Sequence, residues 1–210
     1  MWQVLYEEFR GRGLVVITIA LDQSPDDARP WIEAARPTHP ALIDPRHTVA
    51  DLYNMVNVPT VVWIDERGRL TRPNDVAFGS DTFRHITGIE AARHLSLLRA
   101  WVQGELPTLG EAETRARLRL PAETDQQARA EFGLGQWLHE QGRPEAAAAH
   151  FARAGELAPH DFTIRRGTMP MRGLDPMGPA FRAMLGAWTQ AGHRYIDLRT
   201  IEDAPGAARG

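Results

Sequence analysis

The sequence predicts an α/β domain followed by an all-α region. Two apolar runs rich in β-branched residues, at 14–20 and 58–65, have the composition of buried strands and lie between helical patterns, as in a parallel sheet covered by helices. From Ala122 onward the apolar residues repeat only at helical spacing. We therefore place an α/β domain at 1–104, a polar linker at 105–121, a helical domain at 122–203 and a disordered tail at 204–210.

The first half of the α/β domain contains five predicted elements. Its opening helix stops at Gly11 and leads into the strand at 14–20, which we expect to be buried on both faces. Ser24 as a cap and Pro25 in the first turn predict a second helix that runs to about Ala35. The apolar face of the first helix consists of Trp2, Leu5, Tyr6 and Phe9. A short strand at 41–44 then precedes a short helix with Val49, Leu52 and Tyr53 on one face.

The second half of the domain predicts a hairpin and a closing helix. The buried strand at 58–65 is followed by a turn at 66–69 and a partner strand around Leu70. After a loop at 73–87, a helix ends at Gly104. Its apolar stripe consists of Ala91, Leu95, Leu98 and Val102.

The region after the linker predicts two antiparallel helices, a turn at Gly142 and a third helix. Part of the linker, at 110–118, is itself compatible with a helix. The predicted facing stripes are Ala130, Leu134, Trp137 and Leu138 on the first helix, and Ala147, Phe151, Ala154 and Ala158 on the second. The third helix carries Phe181, Met184, Leu185 and Trp188. We expect Leu134, Phe151 and Ala154 to form the interface of the helical pair.

Composition and charge exclude several classes of function. The net charge is −3, from 24 basic and 27 acidic residues that are interspersed, so we expect no nucleic-acid partner. No apolar run approaches the ~20 residues of a membrane span, and the N-terminus has no leader pattern, so we expect a cytoplasmic protein. The chain contains no Cys, which excludes disulfides and thiolate chemistry within these residues.

The order of the first elements resembles the thioredoxin fold, most closely its TlpA/ResA and peroxiredoxin-like branch. The matching stretches are 18–22, 42–45 and 56–60, and the Val-Pro-Thr sequence at 58–60 followed by Trp-Ile-Asp-x-x-Gly is the most specific of them. The resemblance implies that Pro59 is a cis proline. It also implies that the backbone of Val58, beside Pro59 and Thr60, pairs with an extended substrate peptide near a redox sulfur.

The chain departs from that family at its beginning. By resemblance, a strand and a Cys-x-x-Cys-type motif should precede Trp2, and some bacterial relatives with GC-rich genomes carry selenocysteine there. We expect either a family member that lost this motif or a chain whose redox motif lies upstream of Met1. In the second case the sheet should expose an apolar edge, through which the chain could form a homo-oligomer.

The helical pair resembles a single tetratricopeptide repeat. The residues that carry the resemblance are Leu134, Gly135, Ala147, Phe151, Ala154 and Pro159, whereas Glu131 replaces the usual leading aromatic residue. Because about three repeats are normally needed for an independent solenoid, we expect this pair to pack on neighbouring elements.

Other candidate residues have simpler interpretations. His85 and His94 have no metal-ligating partner at a suitable spacing, so we interpret both as surface or capping residues. His139 and His150 are interpreted as surface residues of their helices. Turn chemistry accounts for Asp22, Asp44 and Asp65, each of which ends a strand. We expect no metal and no cofactor, and Trp2 and Trp63 are the two tryptophans placed to border a substrate surface.

Two functions remain open at the level of the sequence. The first is a thiol- or selenol-dependent disulfide reductase or peroxidase whose reactive atom lies upstream of Met1, in which case this chain alone is inactive. The second is a non-catalytic module that binds a protein or peptide partner. Both share one fold, and a fold does not determine a function.

Overall fold

The computed structural model describes residues 1–76, 79–106 and 109–195, and of residues 86 and 87 it describes the backbone only. These residues form ten α-helices and two β-strands. The strands are β1 (Thr18–Ala20) and β2 (Ala41–Ile43). The helices are α1 (Trp2–Phe9), α2 (Pro25–Ala35), α3 (Thr48–Leu52), α4 (Arg84–Thr87), α5 (Ala91–Val102), α6 (Glu111–Arg117), α7 (Glu123–Glu140), α8 (Pro144–Leu157), α9 (Phe162–Gly167) and α10 (Pro179–Gln190). The expected disordered tail lies outside the described residues.

The chain divides into two compact units. The sheet unit consists of Met1–Pro45 and Pro59–Leu118, and the helical unit consists of Arg46–Val58 and the described residues from Arg119 onward. The segment Arg46–Val58, which the sequence analysis assigns to the α/β domain, thus clusters with the helices. One of the boundaries between the units falls on the peptide bond between Val58 and Pro59.

The helices of the sheet unit follow the sequence pattern closely. Helix α1 ends before a short 3-10 turn, after which Gly13 takes a φ of 89°. Helix α2 begins at Pro25, where the Ser24 hydroxyl accepts the backbone N–H of Asp27 and so satisfies one of the free donors of the first turn. Helices α5 and α6 confirm the closing helix and the helical part of the linker.

The strand predicted at 14–20 is shorter and more exposed than expected. Only Thr18–Ala20 is in ladder register, parallel to Ala41–Ile43, because a strand extends only as far as its neighbour supplies hydrogen-bond partners. Val15 is 67% exposed and Ile17 is 54% exposed. The expectation of burial on both faces is therefore wrong for this run.

The hairpin predicted after residue 58 forms as two isolated antiparallel bridges. Val61 pairs with Asp75, and Ile64 pairs with Leu70. The continuous buried strand expected at 58–65 is absent from this described stretch, and Ile64 is 41% exposed. Trp63, by contrast, is buried in a cluster with Leu5, Phe9 and Leu98.

The helical unit is built around the antiparallel pair α7 and α8. Gly142, with a φ of 69°, occupies the turn between them. A Cβ on Gly135 would lie 2.5 Å from Cε1 of Phe151, so the ring occupies the space that a side chain at this position would need. The core of the pair consists of Ala128, Phe132, Leu138, Ala147, Phe151, Ala154, Ala158 and Ile164.

The predicted interface of this pair is correct on α8 and wrong on α7. Phe151 and Ala154 are buried, but Leu134 is 43% exposed and Trp137 is 52% exposed. Gly135 lies against the ring of Phe151, and one residue corresponds to a rotation of ~100° around a helix. Leu134, one residue away, is therefore turned out of this contact, and Ala130, Leu134 and Trp137 are all exposed.

The segment Arg46–Val58 is bound into the helical unit by polar contacts and packing. The ring of His47 packs against Phe132, with the ring centroids 4.9 Å apart. The N–H of Phe162 donates to the Val56 carbonyl at 2.8 Å. Arg129 forms an ion pair with Asp51 at 3.3 Å. These contacts stabilise α3, whose five residues are too few to form a stable helix on their own.

A third cluster of apolar side chains follows α8. Phe162, Met169 and Phe181 are buried there, and Tyr195 packs edge-on against Phe162 at 4.7 Å. Burial raises the pKa of the Tyr195 phenol. Among the described residues, no helix combines the length and the apolar character that crossing a membrane requires.

Candidate functional site

The three residues expected to form a peptide-binding site have different surroundings. Val58 is 45% exposed, whereas Pro59 and Thr60 are half-buried. Val58 belongs to the helical unit, and Pro59 and Thr60 belong to the sheet unit. The peptide-binding role of these residues remains a prediction.

The backbone amide of Val58 already has a partner inside the protein. It donates to Oδ1 of Asn57 at 2.8 Å, and Nδ2 of Asn57 in turn donates to the Tyr195 carbonyl at 2.9 Å. Asn57 is buried, and its two hydrogen bonds are partly shielded from water. An incoming peptide would have to displace Asn57 before it could accept the Val58 N–H. Sequence reasoning missed this residue, which lies directly before the Val-Pro-Thr sequence.

The chain after Thr60 leads into the core of the sheet unit. Val61 and Asp75 exchange two backbone hydrogen bonds, of 2.7 and 3.0 Å. Two residues further on, Trp63 is 2% exposed, which is too deep for the substrate-bordering role expected of it. Arg72 lies over the Trp63 ring, with its guanidinium carbon 4.5 Å from the ring centroid.

A buried imidazole–carboxylate pair lies beside Trp63. Nδ1 of His94 is 3.1 Å from Oδ2 of Asp75, and the two residues are only 2% and 3% exposed. The interpretation of His94 as a surface or capping residue is therefore wrong. The sequence did contain a signal, because His94 lies three residues after Ala91 and four before Leu98, on the apolar stripe of α5.

Burial and two neighbouring charges shift the pKa of Arg72, which lies beside this pair. Desolvation lowers the pKa of the Arg72 guanidinium, the negative charge of Asp75 raises it, and Arg117 lowers it. Guanidinium groups remain protonated in proteins, so Arg72 is a cation near the carboxylate. A positive charge therefore lies near the carboxylate of Asp75.

Trp2 connects the pair with the beginning of α1. The indole of Trp2, the first residue of the helix, packs edge-on against the His94 ring at a centroid distance of 6.2 Å. A Cβ on Gly79 would lie 3.6 Å from the indole nitrogen of Trp2. Trp2 is half-buried. It is therefore better placed than the buried Trp63 to border a surface.

The remaining candidate residues have structural roles or lie on the surface. Asp65 accepts the backbone N–H groups of Arg67 and Arg69, each at 2.9 Å, which confirms its turn chemistry. His85 and Asp22 are exposed, His139 is half-buried, Asp44 is buried, and His150 pairs with Glu131. Within the described ranges, no group of three His, Cys, Asp or Glu side chains is placed to hold a metal ion.

Helix α1, strand β1, helix α2 and strand β2 follow one another in the first part of the chain, before the antiparallel bridges that come after Pro59. Residues 2–72 match the AhpC/TSA family, a family of redoxins with a thioredoxin-like fold. The match covers about a third of the chain and includes both strands. No curated protein and no solved structure matches this sequence.

Proposed function

We propose that this chain is the thioredoxin-like part of a thiol- or selenol-dependent disulfide reductase or peroxidase, whose reactive residue lies upstream of Met1. The observation that carries the proposal is the redoxin match at residues 2–72 in a sequence of 210 residues without Cys. Such chemistry needs a thiolate or selenolate nucleophile. The reactive atom must therefore come from outside these residues, and the chain alone is inactive.

The finer assignments belong to the same proposal. We assign the α/β part to the TlpA/ResA and peroxiredoxin-like branch, and the protein to the bacterial cytoplasm. A selenocysteine motif is one form of the missing segment. Val58, Pro59 and Thr60 form the peptide shelf. The exposure of Val58 supports this role. Because the Val58 N–H donates to the side chain of Asn57, the peptide has to displace that side chain before it can accept this N–H.

The helical pair supplies the second part of the proposal. We assign α7 and α8 to a single tetratricopeptide-like repeat, supported by the contact between Gly135 and Phe151 at that repeat's small and aromatic positions. The exposed side chains of Leu134 and Trp137 favour a second function, a non-catalytic module that binds a protein partner. The exposure of Val15 and Ile17 supports association of two copies through the sheet.

An insulin-reduction assay and a hydroperoxide assay test the proposal. The 210-residue chain should show no turnover in either. A longer chain that includes the in-frame upstream segment, with Cys at its reactive position, should gain turnover, and the matched version with Ser at that position should lose it. Turnover by the 210-residue chain would overturn the mechanism. An inactive longer chain would favour the binding module.

A further inference from the structure

The buried pair of His94 and Asp75 has no part in the redoxin resemblance or in the peptide shelf. The carboxylate is held from two sides, because Oδ1 of Asp75 accepts the backbone N–H of Val76 at 2.8 Å and Oδ2 faces Nδ1 of His94 at 3.1 Å. The backbone of Asp75 is fixed as well, through its two bonds with Val61. The pair is therefore rigidly placed within the sheet unit.

The geometry determines which ring nitrogen of His94 carries the hydrogen. An ionised carboxylate accepts hydrogen bonds and donates none, so Nδ1 must be the donor toward Asp75. In the neutral imidazole the second nitrogen, Nε2, then has a free lone pair. This is the arrangement in which a carboxylate orients an imidazole for proton transfer.

Nε2 of His94 is buried and has no hydrogen-bond partner among the described residues. An unsatisfied buried polar atom costs about 1–3 kcal/mol, and such atoms call for an explanation when they occur in a native structure. The charge of Asp75 also acts on the guanidinium of Arg72. In the neutral imidazole the orphaned Nε2 is a buried acceptor.

The surroundings of the imidazole identify what could reach it. Two indole rings pack edge-on against His94, that of Trp63 at 5.7 Å and that of Trp2 at 6.2 Å. Trp63 is fully buried, whereas Trp2 is half-buried and is the first residue of the eight-residue helix α1. Of the two residues, Trp2 is the one that solvent partly reaches, and it lies in the N-terminal turn of α1, where the helix dipole stabilises an anion.

We propose that His94 is the proton acceptor for a thiol held at the N-terminal turn of α1, and that Asp75 is its positioning residue. The S–H hydrogen passes to Nε2, the sulfur keeps the bonding electron pair as a thiolate, and the resulting imidazolium keeps its Nδ1 hydrogen on Asp75. No oxidant is consumed in this step. The inference rests on the proposed function for the identity of the thiol, and it assigns the proton chemistry to a group outside the peptide shelf.

The lack of Cys in the chain makes the test specific. Trp2→Cys introduces a single thiol at the residue whose indole now packs against the imidazole, and the ultraviolet absorbance of the thiolate gives its pKa. We expect this thiol pKa to be about one unit lower in Trp2→Cys than in Trp2→Cys/His94→Gln, because the imidazolium stabilises the thiolate. Val4→Cys is the matched control, since Val4 is on the same helix and 59% exposed. Adding His94→Gln to it should leave its thiol pKa unchanged.

Equal thiol pKa values in Trp2→Cys with and without His94→Gln would overturn the proposal. A second measurement needs no substitution: the ring ¹⁵N shifts of His94 in the unaltered chain should report hydrogen on Nδ1 at neutral pH, and hydrogen on Nε2 alone would also overturn it. Neither measurement depends on turnover. Failure here would leave the assays of the longer chain as an independent test of the proposed function.

Discussion

The two compact units bury their apolar residues by different means. In the helical unit, Phe132 and Phe151 are 3% and 4% exposed, and both lie on helices joined by a short turn. In the sheet unit, Val15 and Ile17 belong to the most strongly β-branched run of the sequence and yet are more than half exposed. A helix pair finds its packing partner nearby in sequence, whereas a strand depends on neighbours that can lie anywhere in the chain.

One buried polar residue in each unit illustrates a second difference. In the helical unit, the carboxylate of Asp161 caps α9 by accepting the N–H groups of Thr163 and Ile164, although burial raises its pKa. In the sheet unit, Nε2 of His94 is buried without a partner. Local backbone N–H groups thus satisfy the Asp161 carboxylate, whereas Nε2 of His94 has no such neighbour among the described residues.

The largest effect should come from Phe151→Ala in the core of the helical unit. The lost contacts and the resulting cavity should reduce the free energy of unfolding by about 3–5 kcal/mol. Leu134→Ala is the control at an exposed position of α7, and its cost should be well below that of Phe151→Ala because Leu134 is 43% exposed. Urea denaturation followed by circular dichroism measures both. Equal costs would contradict the assignment of the packed face.

The second effect tests the close approach of α7 and α8. Gly135→Ala places a methyl group 2.5 Å from the ring of Phe151, and overpacking of this kind should destabilise the chain by about 1–3 kcal/mol. At Gly133 an added Cβ would meet nothing within 4 Å, so Gly133→Ala should stabilise the helix by roughly 0.5–1 kcal/mol. Changes of the same sign in the two variants would contradict the interface.

A smaller effect concerns pH. Burial and, after it, the charge of Arg119 lower the pKa of His160 in the folded chain, although Asp125 opposes the shift. Below the ordinary histidine pKa of ~6.5, the unfolded chain binds the proton first, so stability falls as the pH falls through this value. His160→Gln should lose less stability than the unaltered chain between neutral and mildly acidic pH. Parallel urea midpoints for the two chains would contradict this sign.

The smallest change in stability is expected for Ile17→Thr. Because Ile17 is 54% exposed, the substitution should change the free energy of unfolding by no more than about 0.5 kcal/mol. It should also reduce any concentration-dependent association seen by analytical ultracentrifugation, if two copies meet through this part of the sheet. A large destabilisation would show that the residue is covered in solution.

The sequence predicted most of the helices because their signals are local. The Ser24 cap, Pro25 and the turn at Gly142 lie within a few residues of the helix ends that they define. The strands were predicted less well, since the extent of β1 depends on the three residues of β2. Likewise, the packed face of α7 depends on Gly135, whose significance appears only once Phe151 lies opposite it.

The candidate site was predicted in part. The Val-Pro-Thr sequence drew attention to residues 58–60, but the pattern could not reveal that the side chain of Asn57 occupies the Val58 amide. His94 was visible as a polar residue on an apolar stripe. Its partner Asp75 is 19 residues away in the chain, and no spacing rule connects a turn residue with a helix at that distance.

The central proposal is that a reactive thiol or selenol precedes Trp2, and mass spectrometry of the protein isolated from its own cells tests it most directly. The account predicts an N-terminal peptide that runs from an upstream strand through a Cys or selenocysteine residue into the Trp2 sequence. Iodoacetamide should add at least one alkyl group to that peptide after reduction. A natural protein whose first residue is Met1, with no upstream peptide and no alkylated residue, would contradict the claim.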